Sequence, residues 1–414
     1  MLIGKSARIL WDLYNLKTNF KSFRLWAIPK MRLVKMKRLR PLIFVSSFAL
    51  FLTGCNTVQP IKSVNPPRSV VGVIEGKVEN CKLSHNRLSR FRYYQYPAND
   101  YKAFTGNRHL TTMNLVWSMH AVTVQMLNPE TRDELKYKEW LKKFTKALQA
   151  GYYSEIKDGK TNEMFVFGDG KGTPDPSYGA QIALLAASYL VSITDQFNLW
   201  ESGQRQVVID WGNKLYPLTT IDRKQRSLSQ QSKDNVAMRA LAYSAWGLVS
   251  GAEEPLVLAE KAYREGIKPI KDDGEYLHWL LKKDSAYSVN QAFREDDKTV
   301  GFLILSAHFA MKAGFDFYNL SNGRGKTIHD AVDWLLKAHF EPEKTRVADR
   351  LIDQAKMGDG MDVNDWAWTV IYASDFRTTD LGTKIEKLSL SFKPYGGYYH
   401  SGDMGPLSCL YDAS

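Results

Sequence analysis

The sequence predicts an all-α fold, an (α/α) toroid or incomplete barrel of helical hairpins with few short strands. Three observations predict it. Helical periodicity dominates from about residue 110 onward, helical segments of similar length alternate with loops up to residue 376, and no repeat of fixed period is visible. Because a solenoid normally shows such a repeat, its absence favours the toroid.

The predicted helices differ in how their apolar residues are arranged. Gly179–Thr194 is rich in Ala and Leu nearly all round, as expected for a helix packed on both sides. Asp133 and Asp330 occupy positions where an acidic residue favours a helix start. Strands are predicted only at Val70–Val78 and Leu388–Phe392. The predicted helices span residues 109–127, 133–152, 178–197, 203–216, 233–250, 255–268, 297–313, 326–340 and 364–376.

Composition and charge exclude several classes of protein. The 414 residues are 44% hydrophobic and 24% charged, which is typical of a globular chain and not of a disordered, collagen-like or coiled-coil one. Of the net charge of +12, residues 1–54 contribute +10, because they hold 11 Lys and Arg residues and the single acid Asp12. The other 360 residues carry only +2, which gives no support for a nucleic-acid-binding body.

The first 54 residues predict a leader. A basic segment beginning at Met36 precedes the apolar run Pro41–Gly54, which is too short to span a bilayer comfortably. The tetrad Leu52-Thr53-Gly54-Cys55 resembles the lipobox of bacterial lipoproteins, which implies acylation of Cys55 and anchoring in the periplasm. Asn56 after the cysteine favours the outer membrane. A chance cysteine behind an ordinary signal or anchor is the alternative.

The domain organisation follows from this leader. We expect a leader over residues 1–54 with its true start at Met31 or Met36, a lipid-anchored linker over residues 55–75, and one toroid domain over residues 76–414. Cys81 and Cys409 remain after cleavage, and in an oxidising compartment they either pair or stay as separate thiols.

Four blocks in the second half share a family pattern. They are Ala313–Tyr318 with Ile328–Leu336, the Trp/Tyr segment Asn364–Phe376, the segment from Asp273-Gly274 to Tyr287, and the helix start at Asp234-Asn235. Together they resemble the alginate lyases of polysaccharide lyase family 5. The resemblance implies a monomeric toroid that cleaves an acidic, uronate-containing polysaccharide by β-elimination.

The match is incomplete at the catalytic blocks. Val236 stands where the family has a histidine, and Lys282 stands where it has an arginine. Residues from Arg294 to Lys298 are predicted to be an insertion before the helix resumes. The chemistry therefore has to be assigned residue by residue.

A uronate lyase must neutralise the substrate carboxylate, remove the C5 proton and protonate the leaving oxygen. Asn235 is the candidate neutraliser, because its amide donates two hydrogen bonds from a helix start; a plain N-cap is the alternative. Tyr287 is the candidate acid and base, or else a half-buried loop tyrosine. His278 is a candidate substitute for the missing base.

Substrate binding is predicted for a further set of residues. Lys282 is a candidate cation near Tyr287, and Arg294 can bind a carboxylate bidentately, or instead pair with its acidic neighbours on a solvated surface. Tyr398, Tyr399 and His400 lie in a Gly-rich aromatic loop that could close over a sugar; an ordinary turn is the alternative.

No metal or other cofactor is expected, because none of the eight histidines has metal-ligand spacing with another His or Cys. His120 lies in an apolar segment and is predicted to be a core histidine. Two other functions remain open. A glycoside hydrolase on a similar toroid would use two carboxylates, with Asp234 and Asp273 as candidates. A non-catalytic lipoprotein would bind polysaccharide without cleaving it.

Overall fold

The chain divides into two compact units, Met1–Val58 and Gln59–Ser414. The described residues all belong to the second unit. The computed structural model describes residues 69–71, 108–127, 129, 132–149, 156–157, 160–161, 176–220, 227–276, 289–341, 344, 366–391, 400–401 and 404–411.

Helices make up nearly all of the regular structure in these ranges. They are α1 (Arg108–Leu127), α2 (Glu134–Gln149), α3 (Pro176–Gln196), α4 (Gln204–Leu215), α5 (Lys233–Ser250), α6 (Glu253–Ile267), α7 (Val289–Lys312), α8 (Ile328–Phe340), α9 (Thr369–Asp375), α10 (Asp380–Ser391) and α11 (Leu407–Leu410). Short 3-10 turns cover Tyr216–Thr220 and Leu228–Gln230. Two antiparallel pairs of two-residue strands join β1 (Ile156–Lys157) to β2 (Lys160–Thr161) and β3 (His400–Ser401) to β4 (Gly405–Pro406).

The helices form two layers that alternate along the chain. Helices α1, α3, α5, α7 and α9 pack side by side in an inner layer, and α2, α4, α6, α8 and α10 form the outer layer. The described side chains of the inner helices are mostly buried; in α5 every residue from Asn235 to Val249 is buried. The outer helices are amphipathic and bury one face, as α2 does with Tyr137, Trp140 and Phe144. This arrangement is the predicted (α/α) toroid.

Four of the inner helices, α3, α5, α7 and α9, run in the same direction. Ser177 and Asn235 meet near the starts of α3 and α5. The Ser244 hydroxyl of α5 lies 2.9 Å from the Ser306 hydroxyl of α7. Asp297, nine residues earlier in α7, accepts a hydrogen bond from Trp368 immediately before α9. The starts of these four helices therefore lie at one end of the toroid, which we call the N-terminal rim.

The opposite end of the inner layer carries a second polar cluster. His308 near the end of α7 lies 2.8 Å, Nδ1 to Oδ2, from Asp375 at the end of α9, and the Tyr318 hydroxyl donates to the same oxygen at 2.8 Å. These contacts tie the ends of two inner helices together in a buried setting.

One described segment, Ser177–Gln196, is long and apolar enough to cross a membrane. Its residues 177–194 are all buried within the protein as part of helix α3. Its composition is explained by a position between neighbouring helices on both sides, as the sequence predicts.

Most predicted helices are confirmed within a few residues, and two expectations are wrong. Helix α7 begins at Val289 and not at residue 297, so residues 294–298 lie within the helix and do not precede it. The strand predicted from Leu388 is also wrong, because residues 388–391 lie in α10. Its alternating pattern is short, whereas Leu381, Ile385 and Leu388 recur at helical spacing and pack against the core.

The strand predicted at Val70–Val78 is described only at its start. Val70 and Val71 are buried but form no strand. The Val70 amide donates to the Ser192 hydroxyl at 3.0 Å, and the Val70 carbonyl accepts from the Tyr411 hydroxyl. The rest of that run lies outside the described residues.

Candidate functional site

Asn235 lies at the N-terminal rim, in the first turn of α5. The helix begins at Lys233 with Ser232 as its N-cap residue. The Asn235 side chain is buried and bonds to neighbouring side chains of α3. The alternative of a plain N-cap is therefore wrong, because Ser232 occupies the N-cap position.

Gln181 of α3 fixes the orientation of the Asn235 amide. The Gln181 Nε2 atom lies 3.3 Å from the Thr219 backbone oxygen, which can only accept, so the Gln181 amide must present its nitrogen there. The same nitrogen donates to Asn235 Oδ1 at 2.9 Å. Asn235 Nδ2 consequently points the other way, with the Ser177 hydroxyl at 3.5 Å.

Two further polar residues follow Asn235 on the same face of α5. Arg239 and Tyr243 lie four and eight residues after it, the spacing that places side chains in one row along a helix. Arg239 is buried and donates to the Gln231 side-chain oxygen at 2.7 Å. The Tyr243 hydroxyl lies 2.6 Å from the Thr219 hydroxyl. A buried cation thus lies one turn below the Asn235 amide.

The described residues of this row do not provide a base. Next to this row, Val236, which the sequence resemblance predicts to replace the family histidine, is fully buried and has no group that titrates. Burial raises the pKa of Tyr243, and this outweighs the opposing effects of the Thr219 hydrogen bond and the Arg239 charge. Tyr243 therefore stays protonated at neutral pH and can donate or accept a hydrogen bond, but it does not abstract protons.

Two of the three acids that follow Arg294 are not on a solvated surface. Asp296 and Asp297 are almost completely buried, and the indole of Trp368 donates to Asp297 Oδ1 at 3.1 Å. The alternative that Arg294 pairs with its acidic neighbours on a solvated surface is therefore wrong for Asp296 and Asp297, which are not solvated. Arg294 itself belongs to α7, and its side chain lies outside the described residues.

The two carboxylates proposed for a hydrolase lie in different settings. Asp234 is half-buried and accepts a hydrogen bond from the Ser232 hydroxyl. Asp273 is exposed in a turn and accepts the backbone N–H of Glu275 at 3.0 Å. Among the hydrogen bonds and ion pairs of the described residues, none connects the two carboxylates.

The Asp273-Gly274 motif has a structural explanation. Gly274 adopts a φ of 87°, in the left-handed region that favours glycine. A Cβ at this position would lie 2.5 Å from the carbonyl oxygen of Asp330, in the first turn of α8. The glycine therefore allows the turn after α6 to approach the start of α8.

Several predicted site residues cannot be placed. Tyr287, His278, Lys282, Tyr398, Tyr399 and Cys55 lie outside the described residues, as does Cys81. His400 is described only as part of β3, where it pairs with Pro406. The described His, Cys, Asp and Glu residues include no group of three or more that could hold a metal ion. The core position predicted for His120 is confirmed, with its ring 6.1 Å from that of Tyr189.

Sequence reasoning missed Gln181, Arg239 and Tyr243 as parts of this site. The spacing of four residues from Asn235 could have indicated Arg239 and Tyr243, because side chains at that spacing share a helix face. Gln181 had no local signal, since it lies 54 residues before Asn235 and meets it only through packing of α3 on α5.

The two alternating helix layers define the class of fold as an (α/α) toroid, with a polar cluster at the rim. The family model for alginate lyase matches residues 93–345, well over half of the sequence. The chain belongs to the alginate lyase family.

Solved structures of alginate lyase A1-III are similar to this chain. An apo form of a variant has a TM-score of 0.50 at 15% identity, over 72% of this chain and 75% of that one. A variant complexed with tetrasaccharide has a TM-score of 0.49 at 15% identity, over 72% and 78%. The enzyme from Sphingomonas species A1 has a TM-score of 0.47 at 15% identity, over 75% and 76%. Among curated protein sequences, none matches this chain.

Proposed function

We propose that this protein is a polysaccharide lyase that cleaves a uronate-containing, alginate-like polymer by β-elimination. The observation that carries the proposal is the orientation of the Asn235 amide, whose oxygen accepts from Gln181 Nε2 so that its nitrogen, the donor end, is directed away from Gln181. Family membership and the toroid support the same reaction class.

The reaction requires a hydrogen-bond donor before it requires a base. The C5 proton of a uronate is very weakly acidic while the neighbouring carboxylate carries a full charge. A donated hydrogen bond from Asn235, supported by the positive charge of buried Arg239, stabilises the negative charge that develops when C5 loses its proton. A preorganised donor of this kind contributes about 10²–10³ in rate.

The remaining steps are assigned to residues whose side chains lie outside the described part of the structure. In the proposal the C5–H bond breaks as Tyr287, or His278 in its place, accepts the proton. The electron pair forms the C4–C5 double bond, the C4–O bond breaks, and Tyr287 protonates the departing oxygen. Lys282 and Arg294 bind substrate carboxylates, and Tyr398, Tyr399 and His400 contact the sugar. The proposal uses no metal, so activity should survive treatment with EDTA.

The test is a panel of alginate, glucuronan and capsular uronates, with products followed by ultraviolet absorbance and mass spectrometry. Products with an unsaturated uronate end support the proposal. Asn235→Ala should lower turnover by about 10²–10³, whereas Asn319→Ala, at an exposed amide after α7, should not change it. Tyr287→Phe should lower turnover by at least about 10²-fold. Hydrolytic products, or binding without turnover across the panel, contradict the proposal.

We also propose that the protein acts as a monomer in the periplasm, anchored to the outer membrane through lipid on Cys55. The support is the basic and apolar leader that ends in Leu52-Thr53-Gly54-Cys55. Replacing Cys55 by Ser should release the protein from the membrane fraction or leave it unprocessed. Freely soluble behaviour of the unmodified chain would contradict the anchor.

A further inference from the structure

The outer face of α2 carries a row of lysines. Lys138, Lys142 and Lys146 are spaced by four residues, which places them on one side of the helix over a length of about 12 Å. Lys142 and Lys146 are exposed and Lys138 is half-buried. We call these three residues the lysine stripe.

The stripe differs from the neighbouring lysines of the same helix. Lys136 pairs with Asp133 at 2.8 Å, and Lys143 pairs with Glu139 at 2.7 Å. Within the described part of the chain, the three stripe lysines have no carboxylate at ion-pair distance. Because their charges are not neutralised locally, they create a positive field on this side of the outer layer.

Helix α2 runs towards the N-terminal rim. At its start, the Tyr137 hydroxyl lies 2.6 Å from the Thr194 hydroxyl near the end of α3. Its end shares a surface cavity with the end of α4, and α4 leads directly into the 3-10 turn whose Thr219 carbonyl binds Gln181. The stripe therefore leads from the far end of the toroid towards the end that holds Asn235.

The cavity between α2 and α4 continues the stripe. It is open to solvent, has a volume of about 140 Å³ and is lined by Leu148, Gln149, Val207, Asp210, Trp211 and Lys214. Lys214 and Gln149 are exposed and offer one cation and one amide. Asp210 adds one negative charge, and its carboxylate accepts a hydrogen bond from Gln206 at 2.8 Å.

We propose that the lysine stripe, with Lys214 at its end, is a docking surface for a second stretch of the acidic polysaccharide. The inference rests on the proposed function for the identity of the polymer. A polyuronate carries one carboxylate on every sugar, which complements a regular row of cations. Contacts with solvated lysines hold a long chain loosely and raise its local concentration beside the rim, an effect that weakens as salt screens the charges.

The test compares two triple variants of the full chain. The first is Lys138→Gln, Lys142→Gln and Lys146→Gln. The matched control is Lys261→Gln, Lys337→Gln and Lys384→Gln, which removes three exposed lysines from the outer helices α6, α8 and α10. Both are prepared with Asn235→Ala so that bound polymer is not cleaved. Fluorescence anisotropy then measures binding of labelled polymannuronate of about twenty sugars, with dextran as the neutral polymer.

We expect the stripe variant to bind polymannuronate at least about fivefold more weakly than the control at low salt, with the difference shrinking at high salt. Unchanged binding, or an equal loss in the control, overturns the proposal. A loss of binding to phosphatidylglycerol vesicles without a loss for the polymer also overturns it, in favour of a membrane surface.

The same variants separate this inference from the proposed function. In the Asn235→Ala background, a loss of polymer binding by the stripe variant and not by the control supports docking. This holds even if the unmodified chain cleaves none of the uronates, in which case only the proposed function fails. When the three stripe substitutions are made in a chain that keeps Asn235, cleavage of long polymer as fast as by the unmodified chain overturns docking and leaves the proposed function standing.

Discussion

Gln181 donates its side-chain N–H to Asn235 Oδ1 at 2.9 Å, and the same nitrogen lies 3.3 Å from the Thr219 carbonyl. The Gln181 amide thus connects helices α3 and α5 and the 3-10 turn that follows α4. Because Gln181 is completely buried, water does not compete for these bonds. Gln181 is therefore a positioning residue that determines which end of the Asn235 amide can reach a substrate.

Replacing Gln181 by Met, which keeps the volume and removes the donor, should lower turnover about 10-fold or more, because Asn235 loses its fixed orientation. The variant should also lose about 1–3 kcal/mol of stability, since buried acceptors are left unsatisfied. Steady-state kinetics and thermal unfolding measure the two effects separately.

A double-mutant cycle distinguishes positioning from general damage. Once Asn235 is Ala, Gln181→Met should have little further effect on turnover, because the group it orients is gone. If the turnover losses of the two single variants multiply in the double variant, Gln181 does not act through Asn235.

Arg239 is expected to contribute charge to the site from one turn below Asn235. Arg239→Met should lower turnover by about 10²-fold, and Arg239→Lys should restore part of the loss, because a cation remains. Both variants lose the guanidinium bond to Gln231, so both should be destabilised. Equal turnover of the Met and Lys variants would show that the arginine has only a structural role. Arg264→Lys, on the outer helix α6, is the control.

The helices were largely predictable because apolar spacing determines them locally. Helix α5 is confirmed at its predicted bounds, and Thr327 and Asp330 form the capping box that starts α8. Helix α10 was missed, because the last residues of its amphipathic pattern also alternate like a strand.

The site was predictable only where a residue could be identified within its own segment. Asn235 was found because it opens a helix in a block that resembles the family. Its partner Gln181 could not be found, because their contact depends on how α3 packs on α5 and leaves no pattern in either segment. The burial of Asp296 and Asp297 was hidden for the same reason, since acidic neighbours usually indicate a solvated face.

Gly274→Ala should destabilise the fold by more than about 1 kcal/mol, because Gly274 has a positive φ and a Cβ would lie 2.5 Å from the Asp330 carbonyl oxygen. Thermal unfolding of the purified variant measures the loss. Gly323→Ala is the matched control, because a Cβ there meets no atom within 4 Å. Equal midpoints for the two variants would refute the structural explanation of the Asp273-Gly274 motif.

The buried pair of His308 and Asp375 predicts how stability depends on pH. Burial lowers the pKa of His308 from its ordinary 6.5, and this outweighs the opposing effect of the Asp375 carboxylate. Burial also lowers the pKa of nearby Lys312, to about 8, so that lysine remains charged below neutral pH and disfavours a second cation. The folded protein therefore keeps the His308 imidazole neutral at a pH where the unfolded chain binds a proton.

The stability that depends on neutral His308 is present above a pH of about 6.5, and it should decrease as the pH falls below that value, because the unfolded state then binds more protons. One such group changes the free energy of unfolding by up to about 1.4 kcal/mol per pH unit.

His308→Gln can still donate a hydrogen bond to Asp375 but does not titrate, so its stability should depend less steeply on pH between about 5 and 6.5. Urea unfolding at several pH values gives both slopes. His329 and His339, whose pKa values burial also lowers, are present in both proteins, so the difference between the slopes isolates His308. Equal slopes would show that His308 takes up its proton equally well in the folded and unfolded chain.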